Sequence, residues 1–426
     1  MPGSINNPGR DYRLLPALVA GVVFGALSSA AADLAAIHLP DKTAPDAEVG
    51  LALSAPDTLY AAHWAEPVRD QPWRLLIYKL KIPSGKILAQ SEIHDAEPIR
   101  SRNGDLIQSS IRLSISPDGS MLLLTTLERG AVRKVWTLSS RDLHILSSRT
   151  IPAGTDLLGF SENGDVRLLR THTGGNTGQQ INSETVLDLA ASLLDKGISE
   201  QLIKFQEPAW RLTAVGPDNL LWALDERVSQ HSEARITAYR LPNGESVATQ
   251  EVSLAAAQAG APATAPRPRG GELPPPTAIP QPGISHDAPQ VAQMMAATQM
   301  VLGVIHQPAG QWRAWSRVMR VGVDPQQITW SSILTDCNLR LDAIGRSGRM
   351  AVGVCDMVAR GHFDRYEIGK SDAVFVSTQT GSIEAVLPLD IPGPPLSLAL
   401  DDTVDPALAA IYDRRATVRV LSIPSK

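Results

Sequence analysis

The densest run of side chains able to donate, accept or ligate in this 426-residue chain is GHFDRYE at 361–367. His362, Asp364, Arg365, Tyr366 and Glu367 place an imidazole, two carboxylates, a guanidinium and a phenol side by side. That mixture suits hydrogen bonding and ion pairing with a partner, so these five are the candidate ligand- or partner-binding residues. A solvated loop uses the same residue types. Just beyond, Gly369-Lys370-Ser371 has the ending of a phosphate-binding loop, but Asp364 stands where its first glycine is needed. Gly345-Arg346-Ser347 begins a nucleophile elbow, and Arg349 replaces the closing glycine. The sequence has no zinc-protease helix motif, EF-hand loop or dinucleotide fingerprint. No catalytic residue, metal ligand or cofactor is therefore assigned.

Cys337 and Cys355 are the only cysteines. Their spacing fits no metal-binding pattern, and in an exported protein such a pair reads as one disulfide. Each lies nine residues from Arg346, beside the Ser347-Gly348 turn, so a hairpin there sets them opposite each other to within a residue or two. Two separate buried thiols are the other reading.

Charge and composition narrow the function classes. The net charge is -5, and Lys and Arg are spread singly rather than in a stripe, which argues against a nucleic-acid partner. Aromatic residues make up only 4% of the chain, few for a protein that stacks sugars or bases on ring faces.

The N-terminus carries an address. Arg10 and Arg13 precede LLPALVAGVVFGALSSAAA (14–32), 19 residues without a charge. Ala30 and Ala32 bracket an A-x-A-like cleavage site before Asp33, which gives a signal peptide over 1–32 and a mature chain from 33 to 426. The expected location is periplasmic or extracellular. A segment of this length also just spans a bilayer, so membrane attachment follows only if it is retained.

The elements that carry these residues repeat. SISPDGSMLLLTT (114–126), GFSENGDVRLLR (159–170), TAVGPDNLLWALD (213–225), DAIGRSGRMAVGV (342–354) and LALSAPDTLYAAH (51–63) share one plan. A β-rich run meets a turn of Pro, Asp, Asn, Ser or Gly, and a second run follows. A second hairpin comes after most of them: YKLKIPSGKILAQ (78–90), WTLSSRDLHILSS (136–148), YRLPNGESVATQ (239–250) and FVSTQTGSIEAVL (375–387), each with an aromatic opening the strand. The unit is four strands, a to d, with tight a–b and c–d turns, and it returns at roughly the period of propeller blades. Seven units fit, at 47–94, 107–152, 155–206, 208–254, 291–334, 337–390 and 394–424. The fold class is all-β, a seven-bladed β-propeller of four-stranded antiparallel blades. The last unit lacks a fourth strand, and LAAIHLP (34–40) is expected to supply it beside ATVRVLSI (416–423). AAAQAGAPATAPRPRGGELPPPTAIPQPGISHDAPQ (255–290) holds nine prolines and is read as a disordered insertion. TVLDLAASLLDKG (185–197) has helical propensity but falls where the repeat requires strand c and its turn.

On SPDGS (116–120) and the turns LPNGE and TQTGS that follow Leu241 and Thr378, the chain resembles the YVTN-like and WD-repeat-like β-propellers of exported bacterial proteins. The Trp-Asp signature and its Gly-His partner are absent, so a eukaryotic-type scaffold is not implied. That superfamily holds binding proteins, enzymes and assembly factors, so the resemblance speaks to fold more than to function.

Connection length points to a binding end. The a–b and c–d turns are tight, whereas AEPVRDQPW (65–73), HDAEPIRSRNGDLIQ (94–108), THTGGNTGQQINSE (171–184), ERVSQHSEAR (226–235) and ARGHFDRYEIGKS (359–371) are long and polar. Long loops on a rigid scaffold carry binding. The expected function is a non-catalytic exported propeller that binds a protein or other macromolecule through this end. The alternative is a metal-assisted enzyme of lyase or lactonase type, with His and carboxylates from several units meeting at the mouth of the central channel.

Overall fold

The computed structural model describes strands and most turns over 32–253 and 286–423; outside the described residues lie 1–31, 254–285, 424–426 and connecting segments that include 44–48, 67–71, 97–108, 227–232, 308–314, 336–338 and 360–365. The chain is all-β. Strand β1 (Ala32–His38) comes first, followed by a meander of β2 (Gly50–Ser54), β3 (Thr58–Ala65), β4 (Arg74–Lys81) and β5 (Lys86–Ile93). A second meander is β6 (Ser109–Ile115), β7 (Met121–Glu128), β8 (Ala131–Ser139) and β9 (Ile145–Thr150). The third is β10 (Thr155–Phe160), β11 (Val166–Gly174), β12 (Gln180–Leu189) and β13 (Gly197–Ala209). The fourth is β14 (Arg211–Val215), β15 (Leu220–Glu226), β16 (Glu233–Arg240) and β17 (Glu245–Ser253). The fifth runs through β18 (His286–Ala296), β19 (Gln299–Gln307), β20 (Trp315–Gly322) and β21 (Ile328–Thr335). The sixth runs through β22 (Leu339–Ile344), β23 (Arg349–Ala359), β24 (Tyr366–Ser377) and β25 (Ile383–Pro392). The last sheet joins β26 (Ser397–Asp401), β27 (Ala407–Tyr412) and β28 (Thr417–Ile423) to β1, in the order β1-β28-β27-β26. Every ladder is antiparallel, and consecutive four-stranded meanders are the unit of a β-propeller.

Turn chemistry explains the repetition. At SPDGS, Ser116 Oγ donates to Asp118 Oδ1 at 2.5 Å, and Asp118 also accepts from the Ser120 amide and hydroxyl. Gly119 supplies the left-handed residue, with φ of +74°. Three c–d turns share another device. Gly85 N–H donates to Lys81 O, Leu143 N–H to Ser139 O and Gly244 N–H to Arg240 O, each closing a five-residue turn on a left-handed residue. A leucine there costs roughly 1–2 kcal/mol of backbone strain. Leu143 is fully buried in the core between the first two sheets, which offsets that cost.

Adjacent sheets pack face to face. One core holds Tyr60, Trp64, Ile77, Leu122, Leu124 and Trp136 between the first and second sheets. Others lie between the second and third and between the third and fourth. The fourth and fifth touch through β14 and β18, and the fifth and sixth through β18 and β22. Phe375, Leu389, Ala409 and Leu421 join the sixth to the last. The last meets the first through Ile37, Leu59, Tyr78, Val418 and Val420. The innermost strands come closest at Gly50, where an added Cβ would stand 2.9 Å from Ile111 Cγ2. β1 pairs antiparallel with β28, Ala36 opposite Arg419 and His38 opposite Thr417.

Several expectations shift in detail. β18 opens at His286, inside the segment read as insertion to 290. It is the edge strand of its sheet, where Pro289 costs no essential ladder bond, and the register shifts between Pro289 and Val291. Residues 171–174 and 180–184 prolong β11 and β12, so the loop read across 171–184 shrinks to 175–179. The repeated aromatics Tyr78, Trp136, Tyr239 and Phe375 lie in the second half of strand c rather than at its start. The helix-prone stretch from Thr185 forms the end of β12 and its turn.

Candidate functional site

In an antiparallel meander the a–b and c–d turns leave one end of the sheet, and the b–c and d–a connections leave the other. The first set spans two to seven residues, from 297–298 to 190–196. The second contains the four longest connections, 39–49, 66–73, 94–108 and 254–285, beside short ones such as 129–130, 151–154 and 393–396. Of the five candidate binding residues, His362, Asp364 and Arg365 lie outside the described residues. Tyr366 and Glu367 are not in a loop: they begin β24, paired with Ala359 and Val358. The β-branched and aromatic residues that follow carry strand pairing further toward the connection than its polarity suggests. Cys355 is in β23, one residue past the Leu339–Val354 pair, and Cys337 lies outside the described residues.

The best-defined polar clusters in the described part are made by the crossovers between sheets. After β5 the chain passes to the second sheet, and Asp95 accepts from Trp136 Nε1 at 2.7 Å and from Ser148 Oγ at 3.3 Å. Lys134 Nζ lies 2.7 Å from the same carboxylate and 5.5 Å above the Trp136 ring centroid. Burial opposes the charged form of Asp95, yet the Lys134, Trp136 and Ser148 contacts outweigh it and hold the carboxyl below the usual range. The crossover from β1 to the first sheet repeats the arrangement. Asp41 accepts from the Tyr78 hydroxyl, and Arg74 stands 3.7 Å away, itself 3.7 Å from Glu92. Burial and then the Asp41 carboxylate raise the Tyr78 pKa well above the ordinary phenol value. Tyr78 and Trp136 occupy the same place on strand c, three residues before its end. In the first two sheets the recurring aromatic is thus the donor that holds the crossover entering the sheet. The signal was present as an aromatic in strand c and an Asp in the preceding connection, but only the fold brings them together.

Behind Asp41 lies His63, fully buried, with Nδ1 3.2 Å from Thr43 Oγ1 and its ring stacked on Tyr78 at 5.7 Å between centroids. Its Nε2 has no hydrogen-bond partner among the described residues. Burial pushes the imidazole down to about 4, against smaller opposing effects of Asp41 and the Trp64 backbone. In the third sheet Arg167 donates from Nε and Nη2 to the two oxygens of Asp188 at 2.6 and 2.8 Å, a buried bidentate pair across β11 and β12. Each group in these clusters is engaged in joining strands or sheets. Among the described residues no three His, Cys, Asp or Glu side chains gather as a metal ion would require.

No family model matches the chain, and no curated protein matches it. Solved structures do. A prolyl endopeptidase is 9% identical with a TM-score of 0.41, covering 90% of this chain, which spans only about half (51%) of that enzyme. The WD40 domain of SCAP from fission yeast is 8% identical, with 91% of this chain and 97% of that domain covered and a TM-score of 0.35. A putative TolB from Agrobacterium tumefaciens is 13% identical over 68% of this chain and 80% of its own, with a TM-score of 0.33. Likeness at this level carries no inference about what the chain does.

Proposed function

We propose that the protein is an exported, non-catalytic seven-bladed propeller of the YVTN-like kind, its ring closed by β1, that binds a protein or other macromolecule through the end bearing the long connections. The observation that carries this reading is the difference between the two ends. At one end no connection exceeds seven residues, and polar groups bond one another as in SPDGS. The other carries the four longest connections, two of them rooted through Asp41 and Asp95. Rigid sheets beneath long loops suit recognition of a large surface. The net charge of -5 and the dispersed basic residues favour a partner other than nucleic acid. The leader pattern at 14–32 supports the reading that the mature chain starts at Asp33 and is exported.

The test is affinity capture from the native envelope fraction with three immobilised proteins: the mature chain, a form with 360–365 and 227–232 replaced by short Gly-Ser links, and a form altered only in the 140–144 turn. The reading expects a partner retained by the first and third and lost by the second. Equal capture by all three would refute a binding face at the long-connection end. Metal analysis of the same protein separates the enzyme alternative: a stoichiometric metal would favour it over the binding reading.

A further inference from the structure

We propose that ring closure locks the leader-cleavage junction into the β1–β28 ladder, so that the leader is removed only before β1 docks on β28; this rests on reading 1–32 as a signal peptide. The residues on either side of the expected scissile bond, Ala32 and Asp33, both lie inside β1 and pair with Ser422 and Leu421. Asp33 is further held by Arg419, whose Nη2 stands 3.0 and 2.9 Å from the two carboxylate oxygens. Leu34 is bulged out of the ladder between Asp33 and Ala35 and is 44% exposed, and Ile37 then fixes the strand in the core between the last and first sheets. No spacer separates the cleavage site from the closing strand.

A peptidase that reads small side chains at two alternate positions must bind the chain extended, with its backbone as an added strand and its side chains turned to opposite faces. In the closed ring β28 occupies one edge of that backbone and holds Ala32 and Asp33 in register, while the Asp33 side chain stays exposed. Hydrolysis adds water across the Ala32–Asp33 bond, leaving a carboxylate on Ala32 and an ammonium on Asp33. In the closed molecule this bond is reached only when the start of β1 opens. A chain that closes first keeps its leader, and its apolar segment then continues directly into the outer strand of the last sheet. Processing before closure gives a released protein, and closure before processing gives an anchored one.

Full-length precursor presented to a signal peptidase in detergent, followed by N-terminal sequencing, tests this. Precursor diluted from denaturant should be cut before Asp33. Precursor purified folded should be cut at least roughly tenfold more slowly, because opening must precede attack. Folded Ile37→Asp precursor, whose closing strand cannot bury its new carboxylate, should regain the rate of the denatured chain. Equal cutting of folded and denatured wild-type precursor overturns the inference while leaving the leader reading intact. Failure of the denatured precursor to be cut before Asp33 overturns the leader reading, and the inference with it.

Discussion

His63 shows how a residue suited to chemistry can be spent on architecture. It is fully buried, its pKa is pushed down to about 4, and it lies against Thr43, Tyr78 and the Asp41 crossover. Between the ordinary histidine value near 6.5 and about 4, the unfolded chain binds a proton that the folded chain refuses. Stability attributable to His63 is therefore whole above that window and falls as the pH drops through it, by about 3 kcal/mol in all. Denaturant unfolding across the window should show this fall, and His63→Gln should flatten it. The Arg167–Asp188 pair gives a second expectation. Arg167→Met alone leaves a buried carboxylate and should cost about 3–5 kcal/mol, whereas Arg167→Met with Asp188→Leu should cost far less. Equal losses from the single and double variants would mean that Asp188 is compensated elsewhere. Neither role was legible in the sequence, where His63 and Asp188 look like any strand residue. What decides them is the neighbour across the ladder or on the next crossover, which no local pattern encodes.

At the scale of elements, hairpins were the most legible feature, because their information is local. Gly85, Gly119 and Gly244 hold left-handed positions that the turn sequences announce. Leu143 takes the same position without announcing it, since its compensation is burial against a neighbouring sheet. Strand ends were less legible: Thr171 and Tyr366 continue in the ladder although their surroundings are polar. The repeated aromatic was visible, but its purpose appears only when the preceding crossover is placed beside it. If that purpose is to hold the crossover, Trp136→Phe should cost roughly 1–2 kcal/mol through the lost bond to Asp95. Tyr78→Phe should cost a similar amount through Asp41, and equilibrium unfolding of both variants checks it. Phe375, the recurring aromatic of the sixth sheet, has no polar hydrogen to donate, so Phe375→Leu should show only a packing loss.

The described residues form seven four-stranded sheets, each touching the next, with the first and last described strands paired. The repeat made strand order readable, and the strand expected at 34–40 is observed at 32–38, paired with β28. The candidate residues His362, Asp364 and Arg365 fall in a stretch whose composition suits solvent as well as a partner. The proposed ring has a mechanical consequence. Nicking between 254 and 285 interrupts the chain between two complete sheets, so limited proteolysis there should leave two fragments that co-elute, held by the neighbouring sheet contacts. Fragments that separate in native buffer would mean that those contacts do not sustain the ring. The closure itself is tested most directly by a cross-strand disulfide between Ala36→Cys and Arg419→Cys, opposite residues of β1 and β28. Mild oxidation of the folded monomer should join them within one chain, seen as a single linked peptide containing positions 36 and 419. Free thiols at both positions in folded protein, or links formed only between molecules, would contradict a ring closed by its N-terminal strand.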